Sequence, residues 1–400
     1  MASTGSEGGP KTKKPANTAF KQQRLRAWQP LLTPKAVLPT LFIVGIIFAP
    51  IGGLLLYGSS TVAALTIDYT NCMDSIGNFQ PISSYSFRRS FFASDLPEPP
   101  QYMGTPDQPP LSPKFPPNLK VSRCTIDFVL PADIKAPVFL YYRLSNFYQN
   151  HRRYVKSIDL NQLKGDPVPV TTLEKTCVQV AKSPDNKPYY PCGLIANSMF
   201  NDTIGDFTLA PQTSIQSNTT YRFSSKNIAW PSDIRRYGNT GYSPDACVPP
   251  PNWSLRYPGG VYSSAFPPPN ITEDEHFIVW IRTAPFPTFR KLYGRNDAED
   301  MVAGRYRVQI DMNYDVRKYG ATKSIVIASV NVLGGRNIFI GFAYLAVGII
   351  CVVLGLLLTV RHCIKPRKLG DHAQLAWKGT PTVPVQLVAP EERSKSWFKR

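Results

Sequence analysis

The sequence predicts a membrane protein in which two transmembrane helices flank a mainly β domain, an antiparallel β-sandwich with long loops. Three observations carry this. Of the 400 residues, Ala36 to Ile67 and Ile338 to Val360 hold no charged side chain, and about 20 apolar residues suffice to span hydrocarbon. Between these stretches the dominant hydrophobic period is two, the mark of strands with one buried face. All four Asn-x-Ser/Thr acceptors, Asn201, Asn218, Asn252 and Asn270, fall in that central stretch, where an exported segment would carry its glycans.

The elements follow in chain order. Residues 1–36 form a tail with seven Lys or Arg against one Glu. The first helix covers residues 37–60, since a backbone inside lipid must satisfy its own hydrogen bonds. A cleaved signal peptide is the rival reading, but the polar segment before the apolar stretch is longer than a whole signal peptide usually is. The second helix covers residues 338–360, and the tail 361–400 carries nine Lys or Arg against three acids. Basic residues beside a span tend to stay in the cytoplasm. Both ends therefore read as cytoplasmic, and residues 61–337 as a luminal or exoplasmic domain. The two tails hold twelve of the formal +18 charges, so most of the basic excess faces the membrane from the cytoplasm.

Small residues punctuate both spans. Gly45, Ala49, Gly52 and Gly53 lie at close spacing in the first, where Pro50 is expected to kink the helix. Gly341, Gly348 and Gly355 recur every seven residues in the second, drifting only about 20° per step and lining one groove. Such seams let helix backbones approach closely. They read as faces for a protein partner.

Within the central domain, residues 80–118 are dense in proline. Proline deletes backbone donors and fixes φ, so this stretch reads as an extended arm outside the core, with ordered structure resuming near Lys120. Beyond it, "GRYRVQIDMNYDV" alternates apolar and polar from Tyr306 to Val316. "CTIDFVL", "APVFLYYRL", "HFIVWIRTA" and "KSIVIASVNV" are further strand candidates. Runs of strands bounded by Pro, Gly and Asn suggest a sandwich. Five of the seven cysteines lie in this domain, at 72, 124, 177, 192 and 247. They allow fifteen arrangements of two bridges and one free thiol. Neighbour pairing, Cys72 with Cys124 and Cys177 with Cys192, is the economical choice, and such loops contribute about 4 and 3 kcal/mol in the chain-entropy model.

Enzyme chemistry is not visible. The sequence has no G-x-S-x-G, H-E-x-x-H, phosphate-binding loop or dinucleotide loop, which excludes the motif-bearing classes. No C-x-x-C pair occurs, and only His151 and His276 lie in the central domain, so no metal or other cofactor is expected apart from N-linked glycans. The spans carry no ionisable residue, and two helices enclose no path for a solute. The stretch "NFYQNHRRYVKS", Asn146 to Ser157, crowds aromatics against Arg152 and Arg153. Elsewhere it would suggest phosphate binding, but outside the cytosol nucleic acid is not an expected partner.

Five stretches, "NTAFKQQRLRAWQP", "NFYQNHRRYVKS", "PCGLIANSMFND", "VWIRTAPFPTFRKLYG" and "GGRNIFIGFAYLAVGIICVVLG", resemble the cell division control protein 50 family and point to a fungal-type member. The resemblance runs from about Asn17 to His362. It implies a non-catalytic β-subunit of a type IV P-type ATPase that flips phospholipids, bound one to one to the catalytic subunit, helping it fold, leave the endoplasmic reticulum and act. The expected compartments are endoplasmic reticulum, Golgi or endosome, and plasma membrane. Membrane phospholipids are the other partners. The family's two shared disulfides map onto Cys72 with Cys124 and Cys177 with Cys192. Candidate partner contacts are Phe20, Arg24 and Trp28 beneath the membrane, Gly45, Gly52, Gly341, Gly348 and Gly355 within it, and Arg152 and Arg153 outside. The alternative function is a cell-surface receptor or adhesion glycoprotein, since sandwiches commonly bind ligands and fold does not fix function.

Overall fold

The computed structural model describes residues 17–26, 32–89, 93–94, 96–210, 219–331 and 334–366. These described residues divide into two compact units, those before Ile51 with those after Ala343, and those from Ile51 to Ala343. Helix α1 (Pro34–Ser60) leads into strands β1 (Ala64–Asp68), β2 (Gln80–Pro81), β3 (Tyr85–Arg88), β4 (Ala93–Ser94), β5 (Gln101–Gln108), β6 (Val121–Leu130) and β7 (Val138–Leu144). Short helices follow: α2 (Arg152–Lys156), α3 (Leu160–Lys164), α4 (Val170–Thr176) and α5 (Leu194–Asn197). Then come β8 (Thr203–Ile204), β9 (Phe207–Leu209), β10 (Thr219–Tyr221), α6 (Pro231–Ile234), α7 (Glu275–Ile281), β11 (Phe289–Asn296), β12 (Gly304–Asp311), β13 (Lys323–Ser329) and helix α8 (Ile338–Ile364).

The strands make two antiparallel sheets. One runs β11-β7-β13-β1-β3-β4, the other β10-β9-β12-β6-β5-β2 with β8 also paired to β12. Their facing sides close over one core, to which β1 gives Leu65 and Ile67, β13 gives Ile325 and Ile327, β6 gives Ile126 and Phe128, and β12 gives Tyr306, Val308 and Ile310. The alternation of β12 is what period two demands: Arg305, Arg307 and Gln309 point out while their neighbours are buried. Strand β13 lies between β7 and β1 and is buried at every position, which explains its apolar run. Cys72 is bonded to Cys124 inside this core, Cα atoms 5.9 Å apart. Cys177 is bonded to Cys192 in a smaller cluster with Val168 and Leu173. Cys247 stays a free, buried thiol, pushed up to about 12 by burial.

Three readings need correction. "HFIVWIRTA" is not a strand but the helix α7. The Asp274 carboxylate accepts from Phe277 N–H and starts the turn, and a short apolar run buried on most sides has no period that separates helix from strand. The proline-dense stretch 80–118 is not outside the core: β3 joins one sheet and β5 lies beside β6 in the other, with Phe87 and Ile82 buried. Pro106 falls where the β5–β6 register shifts, between Thr105 and Gln108, the kind of position at which a strand tolerates the missing donor. The alternation through Val316 also ends early, because Asp311 turns inward to meet Arg123 Nε at 2.9 Å.

The two apolar helices are each 27 residues long, enough to cross a bilayer. Helix α1 continues through Pro39 and Pro50.

Candidate functional site

Three of the five singled-out stretches meet in one aromatic cluster between the short helices and the edge of the first sheet. From Asn146–Ser157 come Phe147 and Tyr154, from 191–202 Ile195 and Phe200, and from 279–294 Trp280 and Phe289. Phe147 meets Tyr154, Trp280 and Phe289 edge-on at 5.8, 5.7 and 6.0 Å, the arrangement aromatic quadrupoles favour. Polar groups entering this core are matched. Trp280 Nε1 donates to the Ile195 carbonyl at 2.7 Å, and buried Gln149 accepts from Ala284 N–H at 2.9 Å. Ser157 Oγ donates to the Cys177 carbonyl while accepting from Leu194 N–H. Gly193, at φ 97, lies so close that a Cβ would sit 2.0 Å from the Ser157 carbonyl oxygen, so this crossing requires glycine.

The same packing turns the charges outward. With Tyr154 buried, His151, Arg152, Arg153 and Lys156 are exposed, and among the described residues none of the four forms an ion pair. Packing of the aromatics inward thus leaves Arg152 and Arg153 without a counter-charge among the described residues, while Asp233 is used by Arg236 and Arg282. Beside α2 runs an open groove of ≈550 Å³, with Val155, Leu160, Ile281 and Tyr237 on its walls and Trp230 at its side. Trp230 is 66% exposed and lies under the Arg282 guanidinium at 5.8 Å. Asp233, Arg236 and Arg282 also line this groove, so its walls are mixed, and the unpaired cations of α2 lie on the helix that contributes Val155 to it.

Two charged side chains fix this region from below. The Glu275 carboxylate accepts the backbone N–H groups of Asn227, Ile228 and Ala229 at 3.0, 2.8 and 2.9 Å, immediately before Trp230. Lys291 Nζ donates to the carbonyls of Val279, Trp280 and Arg282, satisfying orphan acceptors at the end of α7. Burial, and then the Arg282 guanidinium, push the Lys291 ammonium down to about 7.

The small-residue seams are taken up inside the chain. In the first unit, a Cβ on Gly348 would stand 2.9 Å from Ala49 N, one on Gly45 would stand 2.5 Å from Val352 Cγ2, and one on Gly355 3.2 Å from the Phe42 ring. In the second unit, a Cβ on Gly341 would stand 2.7 Å from Leu56 Cγ, and Gly52 is buried. The reading of these glycines as a partner face is corrected: they bring α1 and α8 together, and bulky residues such as Ile46, Leu54, Phe339 and Leu357 are what each helix exposes. The segment leading into α8 serves the same pairing. Asn331 donates to the Gly58 carbonyl, and Asn337 N–H to Ser59 Oγ at 3.0 Å.

Phe20 is 76% exposed, and Arg24 donates to Asn17 within a short turn. Trp28 and Asn218 lie outside the described residues. Asn252 is exposed, and Asn270 Oδ1 accepts from Thr272 N–H and Oγ1. Asn201 differs, with its Oδ1 sealed from solvent and without a hydrogen-bond partner. In the sequence Glu273, Asp274 and Glu275 read as a solvated acidic turn and not as a glycosidase pair, yet Asp274 and Glu275 are buried; Lys291 and Trp230 carry no signal until the loops they hold are seen. Among the described residues no group of three or more His, Cys, Asp or Glu is placed to hold a metal ion.

Comparison with known proteins fits these segments into a wider pattern. The model of the LEM3 (ligand-effect modulator 3) family / CDC50 family matches residues 55–368. A protein of Chaetomium thermophilum named phospholipid-transporting ATPase accessory subunit CDC50 is 40% identical, over 93% of this chain and 92% of its own. The accessory subunit CRF1 of Saccharomyces cerevisiae is 39% identical over 93% and 91%. Cell cycle control protein 50A of Bos taurus is 39% identical over 88% and 90%.

Proposed function

This chain belongs to the LEM3/CDC50 family, and from that premise we propose that it is the non-catalytic accessory subunit of a phospholipid-transporting P-type ATPase of type IV, bound one to one. Its relatives are named accessory subunits of such ATPases. The task is to help the catalytic subunit fold, leave the endoplasmic reticulum and reach Golgi, endosome or plasma membrane, where the complex moves phospholipids between leaflets. Both termini are cytoplasmic and residues 61–337 face the lumen or exterior, as the basic tails direct. Asn201, Asn218, Asn252 and Asn270 are the acceptors for N-linked glycans.

The observation that carries the reading is the surface around α2. Three stretches of sequence pack their aromatics into a common core and leave Arg152, Arg153 and Lys156 exposed and without an ion pair on α2, whose Val155 lines a groove with Trp230 and Tyr237. That is the profile of a docking face whose counter-charges lie on another molecule. The apolar outer faces of α1 and α8 supply a second contact within the bilayer, and the segment around Phe20, Arg24 and Trp28 a third beneath it. The test is affinity purification of the full-length chain from native membranes in mild detergent. A P-type ATPase should accompany it in equimolar amount, and Arg152→Glu with Arg153→Glu should lower recovery of that ATPase more steeply as salt is raised. A chain recovered wholly without an ATPase refutes the proposal.

A further inference from the structure

A cavity of ≈310 Å³ lies among residues 51–343, away from the α2 groove in its lining. Its volume falls at the small end of the range of ligand pockets, about 300–1,000 Å³. Tyr142, Trp253 and Tyr293 give it aromatic walls, and Tyr142 is stacked on Phe200 at 3.9 Å. This is the lining that usually holds the body of a small organic ligand, with a few polar groups setting its orientation.

The charges on the wall do not cancel. The Asp202 carboxylate is committed to Lys323 Nζ at 2.7 Å, the Tyr69 hydroxyl at 3.0 Å and Tyr314 N–H at 2.6 Å. That leaves Asp274 against two cations. Lys114 Nζ and an Arg256 nitrogen each stand 3.4 Å from the same Asp274 oxygen, whereas charge-assisted pairs usually close to about 2.7–2.9 Å. Burial resists ionisation of Asp274, but Lys114 and Arg256 outweigh it and hold the carboxyl below its usual range. The wall is therefore left with a positive excess, from loosely held donors.

An acceptor also belongs to the lining. His276 Nε2 is 2.8 Å from the Tyr293 carbonyl, which can only accept, so Nε2 donates and the neutral ring keeps Nδ1 as an acceptor. Residues 109–115 bring Lys114 to the site as a strap. The Arg123 guanidinium holds the Pro109 carbonyl, Leu111 N–H donates to Asp311 at 2.6 Å, and Phe115 is buried. Lys114 itself is half exposed, whereas Asp274 is buried, so the lysine stands at the solvent side.

From this arrangement we propose that the cavity is a binding site for a small organic anion that also carries a hydroxyl or ammonium donor. Its phosphate or carboxylate lies between Lys114 and Arg256, and its donor meets His276. A free metabolite and a lipid head group share this chemistry, and the two are separable by experiment. The full-length chain in detergent is titrated with O-phosphoethanolamine and, separately, with lysophosphatidylethanolamine, following tryptophan fluorescence and heat. Saturable binding of the soluble compound, weakened roughly tenfold or more in Lys114→Gln and in Arg256→Gln and unchanged in Lys175→Gln, supports a free ligand. The same pattern with the lysolipid alone supports a head group. Arg256→Lys keeps the charge and should retain most of the affinity. Lys114→Gln changes a half-exposed side chain and decides the matter even if Arg256→Gln fails to fold. Absence of saturable binding by both compounds at millimolar concentration, or binding equally strong in Lys114→Gln, overturns the proposal. Neither result depends on an ATPase being present, so failure here leaves the accessory-subunit reading standing.

Discussion

Replacing Gly348 with leucine tests whether the glycine seam is internal. The new Cβ would stand 2.9 Å from the Ala49 backbone nitrogen and 3.2 Å from its Cα and Cβ, while non-bonded carbons settle about 3.5–4.0 Å apart. The obstacle is backbone, which cannot rotate aside, so α1 and α8 must part by about 0.5 Å for the Cβ alone and further for the rest of the side chain. Overpacking of this kind costs about 1–3 kcal/mol, a loss of roughly 5- to 150-fold in the closely paired population. The assay uses Phe48→Cys with Tyr344→Cys, whose parent rings lie 5.0 Å apart, in a background where Cys351 and Cys363 are serine. Oxidative cross-linking should be efficient in the parent and fall sharply with Gly348→Leu. Gly53→Leu is the control, since a Cβ there meets nothing within 4 Å. The buried thiol of Cys247 should stay unreactive to maleimide throughout, reporting that the β domain is intact. Undiminished cross-linking in Gly348→Leu would show that this seam does not hold the two helices together.

Other perturbations act on the β domain. Asp202→Asn leaves Lys323 buried without its counter-charge, which should cost about 3–5 kcal/mol and lower the Tm by on the order of 10 °C; a thermal scan of the detergent-solubilised chain that shows no change would mean the pair is replaceable. Cys177→Ser removes a bridge of sequence separation 15, worth about 3 kcal/mol, and should reduce the exported fraction in a glycan-maturation assay; normal maturation would make the bridge dispensable. Lys291 gives a pH signature. Its native pKa of about 7 lies below the unfolded value, so the unfolded chain binds more protons between the two and stability rises as pH climbs from about 7 towards 10. Denaturant midpoints measured across that window should show the rise in the parent and lose it in Lys291→Met.

The parts of the fold legible in the sequence were those with a long or regular period. Charge-free runs mark α1 and α8, and alternation marks β12, because composition and period survive any tertiary context. Strand β6 with "CTIDFVL" and β13 with "KSIVIASVNV" were also visible. Helix α7 was not, since seven residues of apolar sequence fit either a buried strand or a buried helix. Proline density hid β5, because the rule against proline in strands does not say where a bulge will absorb one. The glycine seams were seen, yet periodicity marks a groove without saying what fills it, and α1 and α8 fill each other's. The Lys114–Asp274 cavity left no local trace, for its walls come from stretches as distant as Ser112 and Tyr293.

The clamp of Glu275 on residues 227–229 reaches beyond its three hydrogen bonds. A loop without such an anchor would wander, and any ordering on contact would be subtracted from the affinity. Here the backbone leading to Trp230 is immobilised by a carboxylate rooted in a helix, and the indole is covered on one face by Arg282. The tryptophan is thus pre-organised, a rigid peg whose entropy was given up when the chain folded, so that an incoming surface meets it ready-made.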